Sequence, residues 1–129
     1  MHSVLLVDDD VDSLLALRFV FEAHGFEVFV AEHGGVALSQ ASKHVPDIIV
    51  TDFEMPEFDG VKLCERLKCS PALAAIPVIL ISGGPPPANA PVLWNAFLSK
   101  PVDFYQLTAV SEGFPVTRIG GGTAQGAAV

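Results

Sequence analysis

Residues 48–50, Ile-Ile-Val, are apolar at consecutive rather than alternating positions, with Asp47 on one side and Thr51-Asp52 on the other. An unbroken apolar run of this length suits a strand buried on both faces, the situation of a parallel sheet covered by helices. Apolar runs at 3–7, 26–31, 76–82 and 96–99 predict four more strands. Helical spacing fills the intervals. Leu14, Leu17 and Phe21 predict a helix over about 12–24, with Gly25 placed to end it. Val36, Ala37, Leu38 and Ala41 predict an inward face over 34–43, and Pro46 closes that loop. Val61, Leu63, Cys64 and Leu67 mark a helix over 60–68; Phe104, Leu107 and Val110 or Ser111 mark one over 101–112.

Strands alternating with helices build successive βα units. Right-handed crossovers then favour a doubly wound, flavodoxin-like five-stranded parallel sheet in the order 2-1-3-4-5. One interval breaks the rhythm. Gly83-Gly84-Pro85-Pro86-Pro87-Ala88-Asn89-Ala90-Pro91 cannot hold a regular helix, because each proline removes a donor and disfavours helix in the residue before it. A fourth helix, between the fourth and fifth strands, is therefore shortened or irregular and confined to about 91–95. Beyond Gly113 the chain turns Pro-, Gly- and Ala-rich, which predicts a folded domain over 1–112 and a flexible tail or linker start over 113–129.

Composition narrows the function classes. A formal charge of -8 offers no basic surface for nucleic acid, so no direct nucleic-acid partner is expected. No segment approaches the ~20 apolar residues of a membrane span, so no membrane insertion is expected. The start, Met1-His2-Ser3 running into a strand and then acids, lacks the pattern of a signal peptide. Cys64 and Cys69 have no His or Cys at metal-ligand spacing and read as small buried thiols of a reducing compartment. A cytoplasmic protein is the expectation.

In the predicted order, ligands bind where strands 1 and 3 diverge, beyond their carboxyl ends. The first strand ends at Asp8-Asp9, the third at Asp52, the fourth at Ser82 and the fifth at Lys100. All these groups fall on one edge of the sheet. Carboxylates ~4 Å apart repel by on the order of 4 kcal/mol per pair at an effective dielectric of ~20. Such a cluster persists with a proton or a cation to relieve it, and hard oxygen donors suit Mg²⁺. Acids holding a divalent ion, opposite a lysine and a hydroxyl, are equipment for phosphoryl transfer. Asp52 is best placed to attack, Asp8 and Asp9 to hold the metal, and Ser82 and Lys100 to receive phosphoryl oxygens. Asp10 and Asp12 suit plain helix N-terminal acids. The four histidines are scattered, and Trp94 suits a packing role.

Leu-Leu-Val-Asp-Asp after the first strand, Asp52 followed by Met55-Pro56 and Gly60, Ser82 after an apolar strand, and Phe97 before Lys100-Pro101 occur in one order and spacing. In these motifs the chain resembles the receiver domain of two-component response regulators over roughly residues 3–112. The resemblance implies that Asp52 accepts a phosphoryl group from a histidine kinase or a His phosphotransfer protein. It implies Mg²⁺ held by Asp8, Asp9, Asp52 and the backbone carbonyl of Glu54. It also assigns Ser82 and Phe97 to the switch and Lys100 to the phosphate, in a phosphoacceptor domain that assists its own chemistry rather than a conventional enzyme. A downstream protein would read the change.

The chain departs from the family pattern between Ser82 and Lys100, where the interval is short and Leu93-Trp94 stand in place of a usual Gly-Ala pair. The surrounding face is the family's usual signalling and dimerisation surface, which keeps a homodimer among the expected partners. Two rival expectations remain. A degenerate receiver would act as a constitutive interaction scaffold, its binding indifferent to Asp52→Asn. A flavodoxin-like cofactor binder would need a Ser/Thr/Gly-rich phosphate loop where this chain has three acids.

Overall fold

The structure is a computed structural model and describes residues 2–55, 58–86, 88–89 and 91–114. Its strands are β1 (Ser3–Val7), β2 (Glu27–Ala31), β3 (Ile48–Asp52), β4 (Val78–Ser82) and β5 (Ala96–Ser99). All neighbours are parallel, in the order β2-β1-β3-β4-β5. The helices are α1 (Val11–Ala23), α2 (Gly34–His44), α3 (Gly60–Lys68) and α4 (Phe104–Glu112). This is the predicted doubly wound sheet.

Every residue of β1, β3 and β4 is buried, as consecutive apolar residues require. Successive side chains alternate between two cores. Leu5, Val7, Ile49 and Val78 join Ala37, Ala41, Leu63 and Leu67 of α2 and α3. Val4, Leu6, Ile48, Val50, Ile79 and Ile81 join Leu14, Leu17 and Phe21 of α1 and Leu107 of α4. The sheet is thus clamped from both sides, and its strands hold their carboxyl ends in fixed register.

Several boundaries differ from expectation for local reasons. β4 begins at Val78 rather than residue 76, since Pro77 has no N–H for a ladder and contributes only its carbonyl, to Ile49 N at 3.0 Å. The last helix begins at Phe104 rather than Pro101. Asp103 caps it, its side chain accepting from Tyr105 N and Gln106 N, and the preceding Lys100–Pro101 peptide is cis. Its buried face is Leu107, Thr108 and Ser111, while Phe104 is 41% exposed and not inward. Val36 likewise faces outward, because the small Ala37 and Ala41 take the inner face of α2. Cys64 is buried, but Cys69, at the C-cap of α3, is exposed, contrary to the expectation of two buried thiols.

Between β4 and β5 no described residue is helical, so the turn expected near 91–95 is absent and the described part of the connection is irregular. Leu93 and Trp94 pack instead against the core under α2 and α3. Residues 115–129, where a flexible tail was expected, lie outside the described residues, as does Pro56. Among the described residues no helix is long and apolar enough to cross a membrane.

Candidate functional site

The groups singled out in the sequence meet at the carboxyl edge of the sheet because the backbone ladder runs one residue past the strands. Asp8 N donates to Ala31 O at 3.1 Å, Phe53 N to Ile81 O at 2.8 Å and Lys100 N to Ser82 O at 2.8 Å. The main chain beside each functional side chain is therefore tied to its neighbouring strand. Gly60 adds a further constraint. A Cβ there would lie 2.8 Å from Asp52 O and 2.6 Å from Leu80 Cδ1, so only glycine lets α3 start this close to the end of the central strand β3.

Asp8, Asp9 and Asp52 each offer a carboxylate oxygen, and these oxygens all lie within 4.8 Å of one another. Asp52 and Asp8 are 5% and 6% exposed, while Asp9 is open to solvent. Lys100 Nζ stands 3.1 Å from Asp52 Oδ1. The same oxygen accepts a long 3.4 Å contact from Glu54 N, and Asp8 Oδ1 accepts from Asp10 N at 2.9 Å. Among the described residues Asp52 Oδ2 accepts no hydrogen bond.

Burial raises the Asp52 carboxyl from its ordinary pKa, against the pull of the Lys100 hydrogen bond and charge and of the Glu54 amide. Burial also raises Asp8, the Asp10 amide opposing it and the Asp52 charge reinforcing it. Burial alone would lower Lys100, but its hydrogen bond to Asp52 and the surrounding carboxylates outweigh that and raise it. Two buried acids that resist ionisation beside a lysine that resists deprotonation describe a site short of positive charge. The hard oxygen donors and their spacing fit a small divalent cation such as Mg²⁺.

Ser82 and Phe97 are less directly engaged. Ser82 is buried at the end of β4, and its Oγ accepts from Gly84 N at 3.1 Å rather than bonding Asp52 or Lys100. Phe97 is half-buried and faces away from α1 and α4, its ring 6.5 Å from that of Trp94 and tilted 50° to it. Asp10 caps α1, as expected of a helix N-terminal acid. Two features escaped the sequence. The Glu54 side chain reaches Gly83 N at 3.5 Å, and a cavity of about 590 Å³ opens beside Asp52. That cavity runs between α1 (Asp12, Ala16, Leu17) and the segment that leads into α4 (Pro101, Val102, then Phe104 at the helix start), and it reaches Asp8 and Lys100.

Residues 4–112 match the family described as the response regulator receiver domain. The chain belongs to this family. It is 36% identical over 110 residues to the response regulator PleD of Caulobacter vibrioides, a match covering 82% of this chain and 24% of that protein. The chain therefore spans about a quarter of that longer relative. It is 30% identical to protein PilH of Pseudomonas aeruginosa, over 80% of this chain and 88% of PilH. Among solved structures, a response regulator of Chloroflexus aurantiacus superposes with a TM-score of 0.77 at 29% identity, covering 86% of this chain and 94% of that one. The receiver domain thus has its acids, lysine and hydroxyl at the sheet edge.

Proposed function

We propose that this receiver domain is a phosphorylatable switch of two-component signalling in which Asp52 accepts a phosphoryl group from a phosphohistidine. The carrying observation is the convergence of three carboxylates within 4.8 Å, with Lys100 3.1 Å from the central one, on a receiver fold. Oδ2 of Asp52, which takes no hydrogen bond among the described residues, is the oxygen that attacks phosphorus. The O–P bond forms as the N–P bond breaks, and the electron pair of that bond returns to the donor imidazole. The product is an acyl phosphate and a free histidine, so the domain is an acceptor that takes part in its own chemistry rather than an enzyme acting on a separate substrate.

Asp8, Asp9, Asp52 and the Glu54 carbonyl would hold Mg²⁺, which when bound neutralises charge on the transferring group. Lys100 turns from Asp52 Oδ1 to a phosphoryl oxygen and offsets part of the added charge. Ser82, at the end of β4, supplies a hydroxyl to another phosphoryl oxygen, and Phe97 responds to the space that it vacates.

The groove between α1 and α4 supports a helical phosphodonor. It leads to Asp52, and Val11, Leu15 and Phe19 expose an apolar row beside it at four-residue spacing on α1. The donor that this groove would seat is a histidine kinase or a His phosphotransfer protein. A downstream protein reads the phosphorylated form, and the setting is cytoplasmic.

Transfer of labelled phosphate from a phosphorylated His phosphotransfer domain tests the proposal. Label moves to the wild-type chain in the presence of Mg²⁺ and does not move to Asp52→Asn. Equal labelling of both proteins contradicts it.

A further inference from the structure

The cavity beside Asp52 is larger than phosphoryl transfer needs. Asp8, Asp52 and Lys100 stand at one end, and from there it runs on to Leu17, Val50 and Ile81, about 590 Å³ in all. The outer row of α1, Val11, Leu15 and Phe19, takes no part in its lining. A donor helix seated on that row covers the mouth and leaves the interior unfilled. Two local features open this space. Ala16 presents only a methyl from α1, and α4 begins only at Phe104, so Pro101 and Val102 form the opposite wall as irregular chain. None of these wall side chains carries a hydrogen-bonding group. Cavities of roughly 300–1,000 Å³ with apolar walls and a few convergent polar groups are the usual seats of small organic ligands.

The polar end selects the charge of the ligand. Among the described residues four carboxylates line it, Asp8, Asp10, Asp12 and Asp52, against one cation, Lys100. Lys100 is already engaged by Asp52 at 3.1 Å. Asp10 uses both oxygens within the α1 cap, on Asp12 N at 3.0 Å and Ser13 Oγ at 3.1 Å. Asp8 and Asp52 belong to the metal site. The Asp12 carboxylate accepts no hydrogen bond and pairs with no cation among the described residues, so it is the open charge at the mouth. An anion is repelled there, and a neutral apolar molecule leaves Asp12 unanswered. A planar amidinium on a flat apolar body satisfies both ends.

We propose that this cavity binds a small organic cation, its flat body between Ala16 and Val102 and its amidinium-like head on Asp12. The bound cation stands in the donor's path to Asp52 and slows phosphoryl transfer. That consequence, though not the binding itself, rests on Asp52 being the phosphoacceptor.

The probe is benzamidine, an aromatic amidinium, titrated in the millimolar range into the whole 129-residue chain. Saturating Mg²⁺ is present, so that the metal-binding acids are already occupied. Methyl NMR reads the site, and the Ala16, Leu17 and Val102 signals shift and saturate together. Benzamide, the neutral isostere, binds about fivefold more weakly, as does benzamidine to Asp12→Asn. Ala16→Leu fills the wall and weakens binding about tenfold, read at Val102, while amide signals away from α1 stay in place. Transfer of labelled phosphate from a phosphorylated His phosphotransfer domain slows about twofold when the methyl signals are half saturated. Unmoved methyl signals, equal affinity for benzamidine and benzamide, or unaltered affinity in Ala16→Leu overturns the site. Binding seen only when Mg²⁺ is withheld marks the probe as a metal substitute and overturns it too. Saturated signals with transfer at full rate overturn the inhibition and leave the cation site standing. No transfer even without benzamidine overturns the phosphoacceptor reading and the inhibition with it, while the methyl signals still decide the binding.

Discussion

At Asp52 burial raises the pKa while Lys100 and the Glu54 amide oppose it, and burial has the larger effect; Asp8 is raised for the same first cause. A carboxyl whose folded pKa exceeds its unfolded value binds protons more readily when folded, so its charge opposes folding above that window. The cost is fully present above the raised pKa and is relieved as pH falls towards the ordinary carboxylate value near 3.8. Without Mg²⁺, Asp52→Asn and Asp8→Asn therefore stabilise the protein at neutral pH by on the order of 1 kcal/mol. The gain shrinks as the pH approaches 4, as denaturant titrations at the two pH values will show. Lys100→Ala removes the cation facing the transferred group, and phosphoryl transfer to Asp52 falls about 10²-fold while the fold survives. Gly60→Ala pushes a methyl into Asp52 O and Leu80, so urea denaturation records a loss of about 1–3 kcal/mol.

Among the elements, α3 and β5 have the bounds their patterns predict, because each pattern is bounded by a cap or a turn visible in the chain. The last helix was misplaced by three residues, since Pro101 suits a helix start but Asp103 supplies the acceptor that caps it. The missing fourth helix was half legible. The prolines forbid a helix, but they do not say that Leu93 and Trp94 cover the core in its place. Pro46 placed the end of α2 to within one residue, but nothing in the sequence announced that Val45 after it takes a left-handed conformation with φ 45°. A β-branched residue there is strained. Val45→Gly is expected to raise stability by about 1 kcal/mol, read as a shift in denaturation midpoint at unchanged slope.

At the scale of the whole molecule, the strand order and the position of the site were legible together. Right-handed crossovers between five apolar runs leave one economical order, and that order brings Asp8, Asp9, Asp52, Ser82 and Lys100 to one edge without any knowledge of rotamers. What the chain did not disclose depends on side-chain direction and on packing between distant segments. The Ser82 hydroxyl turned to Gly84, the Glu54 contact with Gly83 and the groove between α1 and α4 are of that kind. A bound cation adds to the stability of the whole fold by linkage. Mg²⁺ at a hundred times its dissociation constant stabilises by ~2.7 kcal/mol, and Asp8→Ala loses that increment in thermal melts with and without a chelator.

The central claim is that this receiver domain is phosphorylated on one carboxylate among several at the same edge. Phosphorylation with a small phosphoramidate donor in Mg²⁺, followed by borohydride reduction and peptide mass spectrometry, locates the acyl phosphate. Reduction at Asp52, absent when the metal is chelated, is the predicted result. An unmodified Asp52, or a reduced residue at Asp8 or Asp9 in its place, would contradict the account.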